Sequence, residues 1–183
     1  MACISEIELC FFRETHARWA MHAAEEMIRL IYAGMDRKAP AWTREAAGYP
    51  VLSRRYMAFR QEADSYPLDP QNTALASLRR DRTRLFIDRC QDIERWESFE
   101  HPEALFPQLC CALILRFPQV SFTAHYRCEM TVTGAVLLYR VWYDGSVMHV
   151  QKKEGMRPLE EDDWSREPVN DYTVGDGIPV KRS

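Results

Sequence analysis

Apolar and polar residues alternate without interruption from Val120 to Val132. Every second residue is apolar, and serine, threonine, histidine, arginine or glutamate fills the positions between them. Because successive side chains of a β-strand point to opposite faces, this pattern predicts a half-buried antiparallel strand. The chain must therefore build a sheet with one apolar and one polar face.

Two turn signals extend this strand into a three-stranded meander. Asp144-Gly145 predicts a two-residue hairpin that pairs Tyr143 with Ser146, and Thr133-Gly134 predicts one that pairs Val132 with Ala135. The predicted inner face comprises Tyr126, Cys128, Met130, Leu137, Tyr139, Val141, Met148 and Val150. The predicted outer face comprises His125, Arg127, Glu129, Leu138, Arg140, Trp142, Val147, His149 and Gln151.

The outer face has two interpretations. This register puts Arg127 opposite Arg140, with Trp142 and two histidines nearby. Such a face is either an ordinary solvated or helix-covered surface, or a contact surface for a partner, since tryptophan and arginine are enriched at interfaces.

Helical periodicity and capping signals surround the meander. The predicted helices are Ser5 to Gly34, one that opens at Pro50, Asp69 to Trp96, and Pro102 to Arg116. The last is apolar on nearly every side, which predicts that it is buried across the inner face of the meander. Tyr172–Val174 and Ile178–Val180 predict a short terminal hairpin, in which Pro179 confines its strand to a sheet edge.

These elements predict an α+β fold. The N-terminal helical portion covers residues 1–98, and residues 99–183 form a buried helix packed on an antiparallel meander with a short terminal hairpin; the two portions are separate or one continuous domain. The net charge of −3 excludes a global polycation for nucleic acid. No apolar run is long enough to span a bilayer, and the acidic N-terminus does not resemble a signal peptide. We therefore predict a cytoplasmic protein whose six cysteines are buried, reduced thiols rather than a disulfide framework.

Two charge clusters have both a functional and a structural interpretation. Arg79, Arg80, Arg82 and Arg84 fall within two turns of the third predicted helix, where they would grip phosphates or carboxylates, or form a solvated, salt-bridged face with nearby acidic residues. The acidic run Glu160 to Asp163 is by default solvated, and otherwise mimics phosphate charge or receives basic partners.

Motifs for catalysis and for metal or cofactor binding are missing from the sequence. It contains no glycine-rich phosphate loop, no HExxH, no GxSxG and no Cys/His metal spacing, so no metal and no cofactor is predicted. His125 and His149 with Glu129 form one candidate acid–base site, but no obvious nucleophile or pocket accompanies them. We therefore predict a protein that is not an enzyme.

Two stretches of the C-terminal third carry a resemblance. Residues 137–145, reading LLYRVWYDG, and 172–177, reading YTVGDG, resemble small accessory proteins of phages and conjugative elements of gut Firmicutes, and more narrowly the type II-A anti-CRISPR proteins. The resemblance implies an inhibitor that binds a Cas9–guide-RNA complex and blocks target DNA engagement. The near-neutral charge departs from the strongly acidic inhibitors that mimic DNA.

The leading hypothesis is a non-enzymatic, inhibitory binder of a large protein or ribonucleoprotein target, without membrane attachment. Its predicted contact residues are Arg79, Arg80, Arg82, Arg84, His125, Arg127, Arg140, Trp142 and His149. The alternative is a nucleic-acid-binding regulator of a mobile element that uses the same arginines, with Trp142 as a stacking platform.

Overall fold

An eight-stranded antiparallel sheet dominates the computed structural model, which describes residues 3–35, 77–91, 99, 105–175 and 177–183. The strands are β1 (Cys3–Phe11), β2 (Ser77–Asp81), β3 (Arg84–Gln91), β4 (Phe122–Met130), β5 (Ala135–Tyr143), β6 (Met148–Met156), β7 (Asn170–Gly175) and β8 (Ile178–Lys181). They are ordered β2-β3-β1-β4-β5-β6-β7-β8 in the sheet. Two helices, α1 (Glu14–Met35) and α2 (Leu105–Arg116), complete the described part of the fold. The predicted α+β class is confirmed.

Strand β1 replaces the first part of the predicted N-terminal helix. Ile7 and Leu9 are buried on the inner face, while Glu6 and Glu8 point outward. The strand pairs with β3 on one side and β4 on the other, so the sheet satisfies its backbone groups along both edges. This pairing outweighs the local capping signal of Ser5, which is buried in the strand. The helix begins only at Glu14 and ends at Met35.

The prediction of a third helix is wrong for residues 77–91, which form the β2–β3 hairpin. Leu85 and Ile87 are fully buried on the inner face, and Arg84 and Phe86 alternate with them on the outer face. Because Phe86 is apolar although it lies on the outer face, the sequence of this strand does not show a clear alternation of apolar and polar residues. The helix predicted from Pro50 lies outside the described residues. The sheet thus draws strands from both predicted portions, 1–98 and 99–183.

The meander has the predicted faces but a different register. Tyr143 pairs with Met148 and with Phe122, two residues away from the predicted partners Ser146 and Ala124. Because the side-chain period of a strand is two, this displacement leaves each side chain on its predicted face. All inner-face residues are buried as predicted, except Met130, which is half-buried.

A four-residue loop accounts for the displaced β5–β6 register. Asp144 Oδ1 accepts hydrogen bonds from the backbone N–H groups of Ser146 (2.8 Å) and Val147 (3.0 Å). These bonds hold the pKa of Asp144 well below its usual range. Gly145 supplies the positive φ of 98° that the loop needs. The β4–β5 register is displaced by two residues as well, so Arg127 pairs with Leu138 rather than with Arg140, and the predicted like-charge pair is wrong.

Both helices pack on the inner face. α1 presents a small-residue surface, Ala17, Ala20, Ala23 and Ala24, and contacts β1, β2, β3 and α2. α2 is buried from Phe106 to Ile114 and contacts β7 and β8. Phe106 stacks on Tyr126 of β4 at 5.3 Å between ring centroids. The predicted buried helix is confirmed from Leu105 onward; Pro102 lies outside the described residues.

The C-terminal hairpin matches its prediction. β7 pairs with β8, and Pro179 lies in the strand at the edge of the sheet.

Cys10, Cys110 and Cys111 are free thiols as expected, but Cys128 is disulfide-bonded, so the expectation of a reduced thiol is wrong for this residue. Neither described helix is long and apolar enough to cross a membrane.

Candidate functional site

The outer face of the sheet is divided into a covered and an open part. Residues 157–167, which we call the acidic strap, lie across the Lys153 end of β5 and β6. Beneath them Val136 and Leu138 are buried although they point away from the helices. Toward the opposite ends of the central strands, no described element covers the outer face.

Lys153 anchors the acidic strap. Its side chain is only 8% exposed, and its Nζ donates hydrogen bonds to the backbone carbonyl oxygens of Glu160 (2.8 Å) and Asp163. The ammonium group also lies 5.1 Å from the centre of the Trp164 ring. Gln151 adds hydrogen bonds from Nε2 to the carbonyl oxygens of Trp164 and Glu167. The ammonium group therefore satisfies two carbonyl groups and fixes the course of the strap.

The strap also provides a charge partner for Arg127, and this partner belongs to the acidic run Glu160 to Asp163. Arg127 Nε lies 3.3 Å from Glu161 Oε1, and Arg127 Nη2 lies 3.0 Å from Glu129 Oε2. Arg157 contacts the same Glu129 carboxylate. Arg127 is thus engaged within the chain, and the predicted role of this residue in partner binding receives no support from its surroundings.

Replacing Lys153 with methionine is expected to lower the free energy of unfolding by about 2 kcal/mol, because two carbonyl groups lose a charged donor. Hydrogen exchange should also accelerate at the amides of residues 157–167. The same change at Lys181, an exposed residue of β8, is the control and should alter neither quantity. Unchanged exchange in the strap of the Lys153 variant would show that Lys153 is not the anchor.

The open part of the outer face consists of two cross-strand rows, which we call the outer platform. The first row is Arg79, Phe86, Glu8, His125 and Arg140, and the second is Arg84, Cys10, Thr123, Trp142 and His149. Each row crosses five neighbouring strands, so residues from distant parts of the sequence lie side by side. Six of the nine predicted contact residues lie on this surface.

Only two of the four clustered arginines belong to the outer platform. Arg79 and Arg84 point outward from β2 and β3, whereas Arg80 forms an ion pair with Glu14 of α1 at 3.0 Å. Arg82 lies in the β2–β3 turn with a φ of 49°, and its carbonyl oxygen accepts a hydrogen bond from Arg80. The prediction of four guanidinium groups within two helical turns is therefore wrong, because a hairpin distributes them over two faces and a turn.

Three guanidinium groups of the platform lie over aromatic rings. Arg79 and Arg84 lie 4.2 Å and 5.2 Å from the centre of the Phe86 ring, and Arg140 lies 5.6 Å from the centre of the Trp142 ring. The other neighbour of Trp142 is His149, stacked on it at 5.1 Å. Such contacts favour both partners and restrict the motion of long arginine side chains.

Arg79 and Arg140 differ from Arg84 in their charge partners. Arg84 donates from Nε to Glu8 Oε1 at 2.6 Å, an interaction that raises the pKa of Arg84. For Arg79 and Arg140 the described residues supply no carboxylate within ion-pairing distance. At both ends of the first row, the described residues thus leave a positive charge without a carboxylate partner.

Burial shifts the pKa of two groups at the centre of the platform. Burial lowers the pKa of His125 and raises that of the Cys10 thiol, so both groups favour their neutral forms. His149 is held by Asp171 (2.7 Å) and Asp144 (3.4 Å) two strands from His125. Glu129, the third member of the candidate acid–base site, is bound to arginines beneath the strap. The structure does not bring these three residues together.

Sequence inspection missed Phe86, Glu8, Cys10 and Thr123 as members of this surface. The signal for Glu8 and Cys10 was present, since Glu6, Glu8 and Cys10 alternate with Ile7, Leu9 and Phe11. No cluster of histidine, cysteine and carboxylate side chains arranged to hold a metal occurs among the residues that the structure describes. Comparisons with protein families, curated proteins and solved structures found no match for this chain.

Proposed function

We propose that this chain is a non-enzymatic binding protein that recognises a protein or ribonucleoprotein partner through the outer platform. The observation that carries the proposal is a pair of guanidinium groups, those of Arg79 and Arg140, which lie over aromatic rings and lack a carboxylate partner among the described residues. Arginine and aromatic residues dominate the energetics of protein interfaces.

The accessibility of the platform supports this proposal. Arg140 is exposed and Trp142 is half-exposed, and no described element of the chain covers them. The strap, by contrast, buries the apolar side chains at the other end of the same face. An aromatic residue and a cation that stay open beside a covered surface are typical of a recognition site.

An inhibitory role, a cytoplasmic location and a Cas9–guide-RNA complex as the partner belong to the proposal as well. The inhibitory role and the partner rest on the resemblance of residues 137–145 and 172–177. The free thiols of Cys10, Cys110 and Cys111 support a reducing compartment, whereas the disulfide of Cys128 argues against it.

Direct nucleic-acid binding is the second candidate function. The partly exposed rings of Trp142 and Phe86 favour it, because aromatic rings stack on unpaired bases, but arginine side chains already lie over both rings. The acidic residues Glu6 and Asp88 on the same face oppose it, since they repel a phosphate backbone, whereas Glu8 is already paired with Arg84. We therefore place it behind protein recognition.

The decisive experiment is affinity capture from a bacterial lysate with and without nuclease, combined with a gel-shift assay and a Cas9 cleavage assay on the purified protein. We expect a partner that is retained after nuclease treatment, no shift of free DNA or RNA, and inhibition of cleavage. A gel shift without any protein partner that weakens steeply with salt would instead establish the second candidate.

A further inference from the structure

The first row of the outer platform has positive charge at both ends and a carboxylate near its middle. We propose that this row binds an acidic protein segment whose two carboxylates are held by Arg79 and Arg140. The inference rests on the proposed function and names the chemistry that the partner must present. The proposed ligand is a peptide segment that runs across the strands rather than along them.

The spacing of the two anchors follows from the sheet. Arg79 lies on β2 and Arg140 on β5, and β3, β1 and β4 separate them. With neighbouring strands about 4.8 Å apart, the two anchors lie about 19 Å from each other. An extended segment covers that distance in about six residues.

Contact with an aromatic ring prepares both guanidinium groups for carboxylates. The Arg79 group lies 4.2 Å and the Arg140 group 5.6 Å from the ring centre, and no carboxylate of the described residues takes up their N–H donors. Those donors match the two oxygens of a carboxylate in a bidentate arrangement. Phe86 and Trp142 therefore restrict the arginine side chains before the partner arrives, which reduces the entropy lost on binding.

The acidic strap shows how such a segment binds this face. Within the chain, residues 157–167 cross the outer face, Glu161 accepts from Arg127, and Lys153 binds backbone carbonyl oxygens. Arg127 on β4 and Arg140 on β5 lie on the same face of neighbouring strands. The platform thus offers a second acidic segment the same chemistry beside the first.

Two carboxylates distinguish a peptide from a nucleic acid. Glu8 lies in the row between the two anchors and is paired with Arg84, and Glu6, on the same strand, has no ion pair with a described residue. A phosphodiester backbone carries a charge at every nucleotide and must place some of them against these carboxylates. A peptide can place a neutral or basic residue there, so the charge pattern of the row favours a peptide with separated acidic residues.

Two labelled peptides of identical composition test the inference by fluorescence anisotropy at low ionic strength. One carries two glutamates about six positions apart, and the other carries them side by side. We expect wild-type protein to prefer the spaced peptide, and the double variant Arg79→Gln/Arg140→Gln to lose about tenfold in affinity for it. The matched control Arg18→Gln/Arg116→Gln changes two exposed arginines of the helices and should retain the preference.

Several other results of these measurements would contradict the proposed binding of an acidic segment. Equal affinity for both peptides, or no binding of either, overturns the inference. Binding of an oligo(dT) strand also overturns the inference under two conditions: the Arg79→Gln/Arg140→Gln variant no longer binds the strand, and the peptides do not displace it from wild-type protein. The ligand is then a nucleic acid. If Trp142→Ala abolishes partner capture but the Arg79/Arg140 variant does not, only this inference fails; if neither variant affects capture, the proposed function fails with it.

Discussion

Replacing Leu109 with alanine is expected to lower the free energy of unfolding by about 3 kcal/mol, in the range observed for fully buried leucines. Leu109 of α2 has 0% exposure and belongs to the core between the helices and the inner face of the sheet. The substitution removes buried apolar area and leaves a cavity that tightly packed neighbours cannot fill. Chemical denaturation monitored by circular dichroism measures the change.

Leu115 offers a matched control on the same helix. It undergoes the same chemical change to alanine, but it is 51% exposed. We expect Leu115→Ala to cost less than about 1 kcal/mol. Equal losses from the two variants would mean that the inner side of α2 is not packed against the sheet as described.

The sequence was sufficient to predict which faces the meander residues occupy, because the alternation has a period of two and tolerates a displacement of two residues. It was insufficient for the β5–β6 register, since that depends on a side chain, Asp144, that caps the amides of a longer loop. A local dipeptide signal such as Asp144-Gly145 identifies the turn but not how many residues enter it.

The failed helix predictions have a different physical cause. The segments 3–11 and 77–91 become strands because the sheet supplies hydrogen-bond partners that are remote in sequence. Helix signals are local, and the capping pattern from Ser5 to Glu8 is one of them. Only pairing with strands that are remote in sequence makes this segment a strand instead of a helix. Three residues of the outer platform were missed with these strands, because Glu8, Cys10 and Phe86 reach Trp142 only through the sheet order.

Replacing Trp142 with alanine is expected to raise the dissociation constant of the captured partner about 30-fold, equivalent to about 2 kcal/mol. The ring lies between Arg140 and His149, so its removal takes away both a contact surface and the support that orients the Arg140 guanidinium. Titration of the purified partner, with folding checked by circular dichroism, gives the measurement.

Trp19→Ala is the matched control for this prediction. Trp19 is 46% exposed and stacks on Phe117 on the helical side of the molecule, so it offers a comparable aromatic group away from the outer platform. Its loss should leave the dissociation constant within about twofold of wild type, since residues outside an interface rarely contribute to binding. If Trp19→Ala weakens binding as strongly as Trp142→Ala, or if Trp142→Ala binds normally, the partner uses another surface. The helical side, where Trp19 and Phe117 are paired, would then be the place to search.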